Sequence, residues 1–238
     1  MTAPFAVAAF EKTVQVEADG ARLEGDLNLP AGARAVVLFA HGSGSSRHSS
    51  RNRFVARELQ AGGLGTLLID LLTAEEERVD RMTAHLRFNI PLLARRLAGA
   101  IDWLQRSPQT LRLRIGCFGA STGGGAALVA AAERPEAIYA VVSRGGRPDL
   151  AAESLQRVQV PTLLIVGGND YEVIRTNKDA QSQMRATTRL EIVPDATHLF
   201  EEPGALEAVA DLARDWFLHW LDPPGSARAS TVANEWNP

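Results

Sequence analysis

The sequence has 238 residues, of which 45% are hydrophobic and 22% are charged, and its formal net charge is −3 with a pI near 6.0. This balance is typical of a soluble globular chain with a large core. No Lys/Arg cluster is long enough to follow a phosphate backbone, which argues against nucleic acid and anionic membrane surfaces as partners. Neither a signal peptide in Met1–Phe10 nor a membrane-spanning segment is expected. The single cysteine, Cys117, excludes an internal disulfide and fits a reducing compartment, so we expect a cytoplasmic location.

The first third of the chain begins with two strand patterns and then alternates between strand and helix. Polar and apolar residues alternate around Val14–Val16 and Leu23–Leu29, which predicts two antiparallel strands joined by a turn at Asp19-Gly20. Ala35–Ala40 is continuously apolar, as expected for a strand that is covered on both faces. A helix over Arg51–Ala61 and a second buried strand over Gly65–Asp70 follow it.

The rest of the chain continues this alternation. The patterns predict helices over Leu92–Gln105, Ala126–Glu133 and Ala205–Leu221, and strands over Arg112–Phe118, Ile138–Val142, Thr162–Val166 and Arg189–Val193. Alternating strands and helices after an antiparallel start indicate an α/β fold, with a mostly parallel, doubly wound sheet and helices on both faces. We expect a single domain over residues 1–221 and a mobile C-terminal tail over residues 222–238.

Two connections bear on how open a site in this sheet would be. The connection Ser143–Val160 is long enough for a loop and one short helix, so no cap domain is expected there. Leu71–Asn89 is the candidate for a partial lid. Its charge run Glu75-Glu76-Glu77-Arg78 is read as a solvated helical turn.

The pentapeptide Gly119-Ala120-Ser121-Thr122-Gly123 lies between a predicted strand and a predicted helix. A G-x-S-x-G motif in this context places a serine at the apex of a sharp turn, where its hydroxyl is exposed as a nucleophile. The glycines are required because side chains at these positions would collide with the neighbouring strand and helix. The sequence therefore predicts that Ser121 is a catalytic nucleophile.

A serine nucleophile needs a histidine base, and the histidine needs an acid that fixes its tautomer. On this architecture the acid and then the histidine should follow the serine, each just beyond a strand. Asp170 follows the strand that ends at Val166, and His198 follows the strand that ends at Val193. The alternatives are that Asp170 caps a helix and that His198 is structural. Asp149 and Glu172 are the fallback acids.

The loop after the first parallel strand reads His41-Gly42-Ser43-Gly44-Ser45-Ser46. Its glycines allow backbone amides to turn inward, so the amides of Ser43 and Thr122 are predicted to form an oxyanion hole. His41 is expected to support the turn. A phosphate cradle is the alternative, although the loop lacks the lysine and spacing of a P-loop.

From about Val14 to Leu221 the chain resembles the α/β-hydrolase fold, and specifically the small, capless dienelactone-hydrolase-like proteins. The resemblance rests on HGSGSSRHSSRN, GASTGG, VVSRGGRPDL, VGGND and DATHLFEEPGAL. It implies the nucleophile, acid, histidine and oxyanion donors named above. Dienelactone hydrolases proper carry a cysteine nucleophile, whereas this motif has a serine, so acyl transfer is implied but the dienelactone substrate is not. Cys117 lies four residues early and is read as a buried hydrophobe.

Arg144 and Arg147 follow the predicted strand Ile138–Val142. They are candidates for gripping a substrate carboxylate, with a salt bridge to a loop acid such as Asp149 as the equal alternative. Together these features predict a serine hydrolase that cleaves carboxylic esters or small lactones through an acyl-enzyme, with no cofactor or metal. An acyltransferase or thioesterase, and a binding protein without turnover, are the alternatives. The sequence does not decide the oligomeric state, and a homo-oligomer is one of the open alternatives.

Overall fold

A computed structural model describes residues 9–222 of the chain. It contains one eight-stranded sheet with the strand order β1-β2-β4-β3-β5-β6-β7-β8. The strands are β1 (Phe10–Ala18), β2 (Ala21–Leu29), β3 (Ala35–Ala40), β4 (Gly65–Ile69), β5 (Arg114–Ala120), β6 (Ile138–Arg144), β7 (Thr162–Gly167) and β8 (Thr188–Val193). The segment read for a signal peptide and the predicted mobile tail lie almost entirely outside the described residues.

The predicted antiparallel start is confirmed, because β1 pairs with β2 and β2 pairs with β4 in antiparallel register. All other neighbouring strands are parallel. Strands β3, β4, β6 and β7 are buried along their whole length, since helices cover both faces of the sheet. At the edge of the sheet, β8 is only partly buried.

The helices divide between the two faces. They are α1 (Ser50–Ala61), α2 (Ala74–Thr83), α3 (Ile90–Arg106), α4 (Thr122–Glu133), α5 (Tyr171–Gln183) and α6 (Ala205–Leu221). One apolar cluster packs α3 and α4 against the sheet, and the other packs α1 and α6 against the opposite face. The expected doubly wound α/β architecture is therefore confirmed.

The connections leave the carboxyl edge of the sheet uncovered by any second domain. The β6–β7 connection holds only a 3₁₀ helix over Pro148–Arg157, which is kinked at Ala152. The predicted absence of a cap domain is thus confirmed for residues 9–222. The expected lid segment contains α2, a longer helix than the single turn predicted, and Thr73 and Glu76 form a capping box at its start. No helix within the described residues is long and apolar enough to cross a membrane.

Candidate active site

Ser121 lies at a sharp turn between β5, which ends at Ala120, and α4, which begins at Thr122. Its backbone has φ 50° and ψ −120°, a strained conformation for a residue with a side chain. A Cβ at Gly119 would lie 2.5 Å from the carbonyl oxygen of Gly123, and a Cβ at Gly123 would lie 2.3 Å from that of Ala40. Both glycines are therefore needed for the close approach that the motif predicted.

Asp170 and His198 are in contact although 28 positions separate them in the chain. The Nδ1 atom of His198 lies 2.6 Å from Oδ2 of Asp170. The Asp170 side chain is 15% exposed and that of His198 is 39% exposed, so the acid is sheltered while the imidazole reaches the solvent. Asp170 does occupy the N-cap position of α5, but its side chain makes no capping hydrogen bond. The geometry therefore favours the acid–histidine pair over the helix-cap alternative.

The loop Arg144–Arg147 contacts both halves of this arrangement. The amide of Arg147 donates to the carbonyl of Ser121 at 3.1 Å, and the amide of Ser121 donates to the carbonyl of Arg144 at 3.2 Å. At Gly145 a Cβ would lie 3.4 Å from Cε1 of His198, so the imidazole packs on this glycine. Ser121 and the Asp170–His198 pair consequently share one edge of the sheet, as the strand order requires.

The predicted oxyanion donors, Ser43 and Thr122, both line the same small cleft. Gly42 approaches the nucleophile closely, since a Cβ there would lie 3.1 Å from Cβ of Ser121. Thr122 is the first residue of α4, where a backbone amide has no partner within the helix. The amide of Thr122 is thus available to a ligand, as expected of the residue after a nucleophile.

His41 supports this loop, as the sequence suggested. Its Nε2 accepts a hydrogen bond from the amide of Leu71 at 3.1 Å, so Nδ1 carries the proton and donates to the carbonyl of Gly42 at 2.9 Å. Burial lowers the pKa of His41 and favours this neutral form.

Arg47 also holds the loop over residues 41–49, a contact that the sequence did not predict. The amide of Arg47 donates to Oδ1 of Asp70 at 2.7 Å, and the Arg47 guanidinium pairs with the same carboxylate. The guanidinium also reaches Oε2 of Glu24 at 2.5 Å. Asp70 and Leu71, which directly follow β4, therefore hold the two ends of the loop through Arg47 and His41. No local motif marks Arg47, because its three acidic neighbours are distant in the chain: Glu24 and Asp26 lie on β2 and Asp70 follows β4.

The two predicted arginines have different surroundings. Arg147 donates to Asp149 through Nε at 2.9 Å and Nη2 at 2.6 Å, which is the salt-bridge alternative that the sequence left open. Arg144 is only 6% exposed and donates to Oδ1 of Asn52 at 3.1 Å, with its guanidinium 5.8 Å from the ring centre of Phe200. Burial lowers the pKa of Arg144 to about 10, and the nearby Arg51 adds to this effect.

A carboxylate grip by either arginine stays a prediction. At Arg147 it requires the substrate to displace Asp149, and at Arg144 it requires access to a buried group. The fallback acids are also accounted for, since Asp149 is paired with Arg147 and Glu172 is an exposed residue in the first turn of α5.

The remaining reactive groups are not arranged for chemistry. Cys117 is buried within β5, and burial raises the pKa of its thiol to about 12, so it is read as a packing residue. Among residues 9–222 no group of three or more His, Cys, Asp or Glu side chains is placed to hold a metal ion.

The sheet order, the turn at Ser121 and the placement of Asp170 and His198 beyond β7 and β8 define an α/β-hydrolase fold. A family model described as the dienelactone hydrolase family matches residues 23–223. The crystal structure of a dienelactone hydrolase from Anabaena variabilis is 62% identical, covers 89% of this chain and 98% of its own, and superposes with a TM-score of 0.88. The chain belongs to the dienelactone hydrolase family, which confirms the resemblance and supports a hydrolase.

Other relatives extend these findings. Est1E from Butyrivibrio proteoclasticus, solved with ferulic acid, has a TM-score of 0.73 at 16% identity, covering 87% of this chain and 99% of its own, which shows the fold alone. Proteins from two Mycobacterium tuberculosis strains, which carry the provisional name phosphoribosyl transferase, are 55% identical over 215 residues. That match covers 90% of this chain and 48% of each relative, so the chain spans about half the length of these relatives.

Proposed function

We propose that the protein is a serine hydrolase that cleaves carboxylic esters or small lactones through an acyl-enzyme. Ser121 is the nucleophile, His198 the general base and acid, and Asp170 the residue that orients the imidazole. The backbone amides of Ser43 and Thr122 stabilise the oxyanion. The hydrogen bond of 2.6 Å between Asp170 and His198, beside the strained turn at Ser121, is the observation that carries the proposal.

Each of these groups has a defined role in the acylation step. Because Asp170 accepts a hydrogen bond from the Nδ1–H of His198, Nε2 carries no proton and its lone pair is free to take the hydroxyl proton of Ser121. The Oγ atom of Ser121 attacks the carbonyl carbon, and the negative charge on the carbonyl oxygen is bound by the two amides. His198 then returns the proton to the leaving oxygen as the carbon–oxygen bond breaks, which leaves an acyl-serine and a free alcohol.

Water completes the cycle. His198 takes a proton from a water molecule, whose oxygen attacks the acyl carbon, and Ser121 recovers its proton as the acid departs. The carboxyl edge of the sheet carries no cap domain, so water and substrate reach Ser121 through loops alone. This openness favours hydrolysis over transfer to a second acceptor, because solvent water is present at a high concentration near the acyl-serine.

Covalent labelling tests the site and the mechanism together. A fluorophosphonate should modify Ser121, and mass spectrometry of proteolytic peptides should locate the adduct there. Ser121→Ala should remove the label and lower kcat by at least ~10³-fold, whereas Ser182→Ala, which changes an exposed serine on α5, should retain both label and activity. Labelling that persists in Ser121→Ala would contradict the assignment.

Two other activities use the same nucleophile. An acyltransferase or thioesterase would pass the acyl group to an alcohol or accept it from a thioester, and product analysis with added alcohols and with thioester substrates separates these reactions from ester hydrolysis. A binding protein that keeps the fold without turnover would hydrolyse no chromogenic ester. The phosphoribosyl transferase name belongs to proteins of about twice the matched length, so it assigns no activity to this chain.

A further inference from the structure

Most of the large apolar side chains that are exposed lie in the lid segment or next to Asp170 or His198 in the chain. Seven large apolar side chains are exposed among residues 9–222, and five of them lie in the lid segment or directly beside Asp170 or His198. The five are Val79, Met82, Phe88, Tyr171 and Leu199. Burying such groups is favourable, so exposed apolar side chains that adjoin candidate catalytic residues in the chain are candidates for binding an apolar ligand.

Two of these residues are joined directly to the Asp170–His198 pair. Tyr171 follows Asp170 as the first residue of α5, and its side chain is 75% exposed. Leu199 follows His198 and is 40% exposed. Leu199 is one peptide unit from the histidine that transfers the proton, and Tyr171 is one peptide unit from the acid that this histidine contacts.

The loop that carries Leu199 is built so that this side chain faces outward. The next residue, Phe200, is buried beneath the guanidinium of Arg144 and has φ 56°, an uncommon conformation for a phenylalanine. Its amide donates to the carbonyl of Thr197 at 3.2 Å and closes the turn around His198. The strained backbone at Phe200 thus belongs to a turn that buries this side chain and leaves the neighbouring Leu199 at the surface.

The chemistry of acylation decides which part of a substrate meets these residues. This step rests on the proposed function. The proton that His198 takes from Ser121 must pass to the leaving oxygen, so the leaving group has to lie against the imidazole when the carbon–oxygen bond breaks. The oxyanion binds the amides of Ser43 and Thr122, whereas the leaving oxygen faces the imidazole of His198. The group nearest to the two apolar residues is therefore the alcohol, not the oxyanion.

We propose that Tyr171 and Leu199 form an apolar leaving-group subsite, and that the preferred substrates are esters of apolar or aromatic alcohols. The occupant is the alcohol portion of the substrate, because the subsite is continuous with the residue that protonates it. Contacts with the alcohol act only while that group is still bonded, so they accelerate acylation and have no effect on hydrolysis of the acyl-serine.

Two ester series separate this subsite from a general effect on the enzyme. The first keeps the acetyl group and lengthens the alcohol from ethyl to hexyl, where the leaving-group basicity is nearly constant. The second series consists of methyl esters in which the acyl chain is lengthened. In Tyr171→Ser and Leu199→Ser, kcat/KM for hexyl acetate should fall by about tenfold, while ethyl acetate and the acyl series should change by less than about twofold.

Leu111→Ser is the matched control, because Leu111 is also exposed but lies between α3 and β5, at the opposite edge of the sheet. It should leave both series unchanged. The deacylation rate of the common acetyl-enzyme, measured by rapid quench, should be equal in the wild type and in the two subsite variants. Thermal unfolding should also be unchanged, since both side chains are exposed.

An unchanged dependence on alcohol length in both variants overturns the proposal. The proposal is also overturned if the two variants keep the dependence on alcohol length but change their oligomeric state in sedimentation experiments. The apolar surface would then contact a second copy of the chain. Failure of the proposed function is distinguishable, since it would appear as a wild-type enzyme that neither labels at Ser121 nor hydrolyses any ester of either series.

Discussion

Replacing Arg47 by methionine is expected to loosen the 41–49 loop and to lower both stability and turnover. The Arg47 side chain is 14% exposed and pairs with Asp70, Glu24 and Asp26, while its amide separately holds Asp70. Methionine keeps most of the apolar stem and removes the guanidinium. The variant therefore tests the ion pairs that join the loop to β2 and to the end of β4.

The three ion pairs are not equal. The bond to Asp70 joins two sheltered groups, and a hydrogen bond between charged groups is worth ~1.5–3 kcal/mol. Glu24 is 53% exposed and Asp26 lies 3.7 Å away, so solvent screening limits these two pairs to ~1 kcal/mol together. Arg47→Met should thus lower the free energy of unfolding by ~1.5–4 kcal/mol, or Tm by roughly 3–16 °C in a chain of this size.

The effect on turnover follows from the position of the loop. Loss of one complete oxyanion donor costs ~10²–10³-fold in kcat, and a loosened donor should cost a part of this, about tenfold. KM should change little, because the oxyanion contact strengthens only in the transition state. Equilibrium urea unfolding and steady-state kinetics on a chromogenic ester measure the two effects.

Arg22→Met is the matched control. Arg22 and Arg47 both line a second cleft, between β2, the 41–49 loop and the start of α2, but the pair of Arg22 with Glu17 is exposed on both sides. Arg22→Met should therefore change the free energy of unfolding by less than ~1 kcal/mol and should retain kcat. If Arg47→Met loses stability while kcat remains that of the wild type, the ion pairs hold the fold but do not position the oxyanion donor. Unchanged stability would refute the energetic reasoning itself.

Three further outcomes are expected. Asp170→Asn should reduce kcat by roughly 10⁴-fold because an amide misdirects the imidazole tautomer, whereas Glu172→Gln should retain activity; the reverse pattern in steady-state assays would identify a different acid. Burial lowers the pKa of His41, so the folded state resists a proton that the unfolded chain accepts below about pH 6.5. The contribution of the neutral imidazole to the free energy of unfolding is therefore fully present above that pH and is lost as the pH falls below it. In urea unfolding, the free energy of His41→Gln should fall less steeply with decreasing pH than that of the wild type, by up to ~1.4 kcal/mol per pH unit. Arg147→Ala separates the two interpretations of this residue: a substrate grip predicts a selective loss of kcat/KM on a monoacid ester, whereas the salt bridge to Asp149 predicts an equal loss on the monoacid and on its neutral analogue.

The sequence by itself determined the parts of this protein that depend on local chemistry. Gly119 and Gly123 indicated the turn at Ser121, because only glycine permits the close approach of strand and helix there. The continuous apolar run of β3 predicted a strand buried on both faces, and β4 was likewise predicted to be buried. The position of His198 beyond the last strand was equally readable, since in a parallel sheet the loops after the strands meet at one edge.

Other features depend on contacts between distant segments, and the tertiary structure alone decided them. Arg47 has its partners on β2 and after β4, so no local pattern could identify it. Arg144 and Arg147 have nearly the same sequence context, yet one is buried beside Asn52 and the other is paired with Asp149. A charged side chain takes its role from the groups that packing brings near it, because solvent exposure and the distance to an opposite charge set its energy. These quantities exist only once the sheet has assembled.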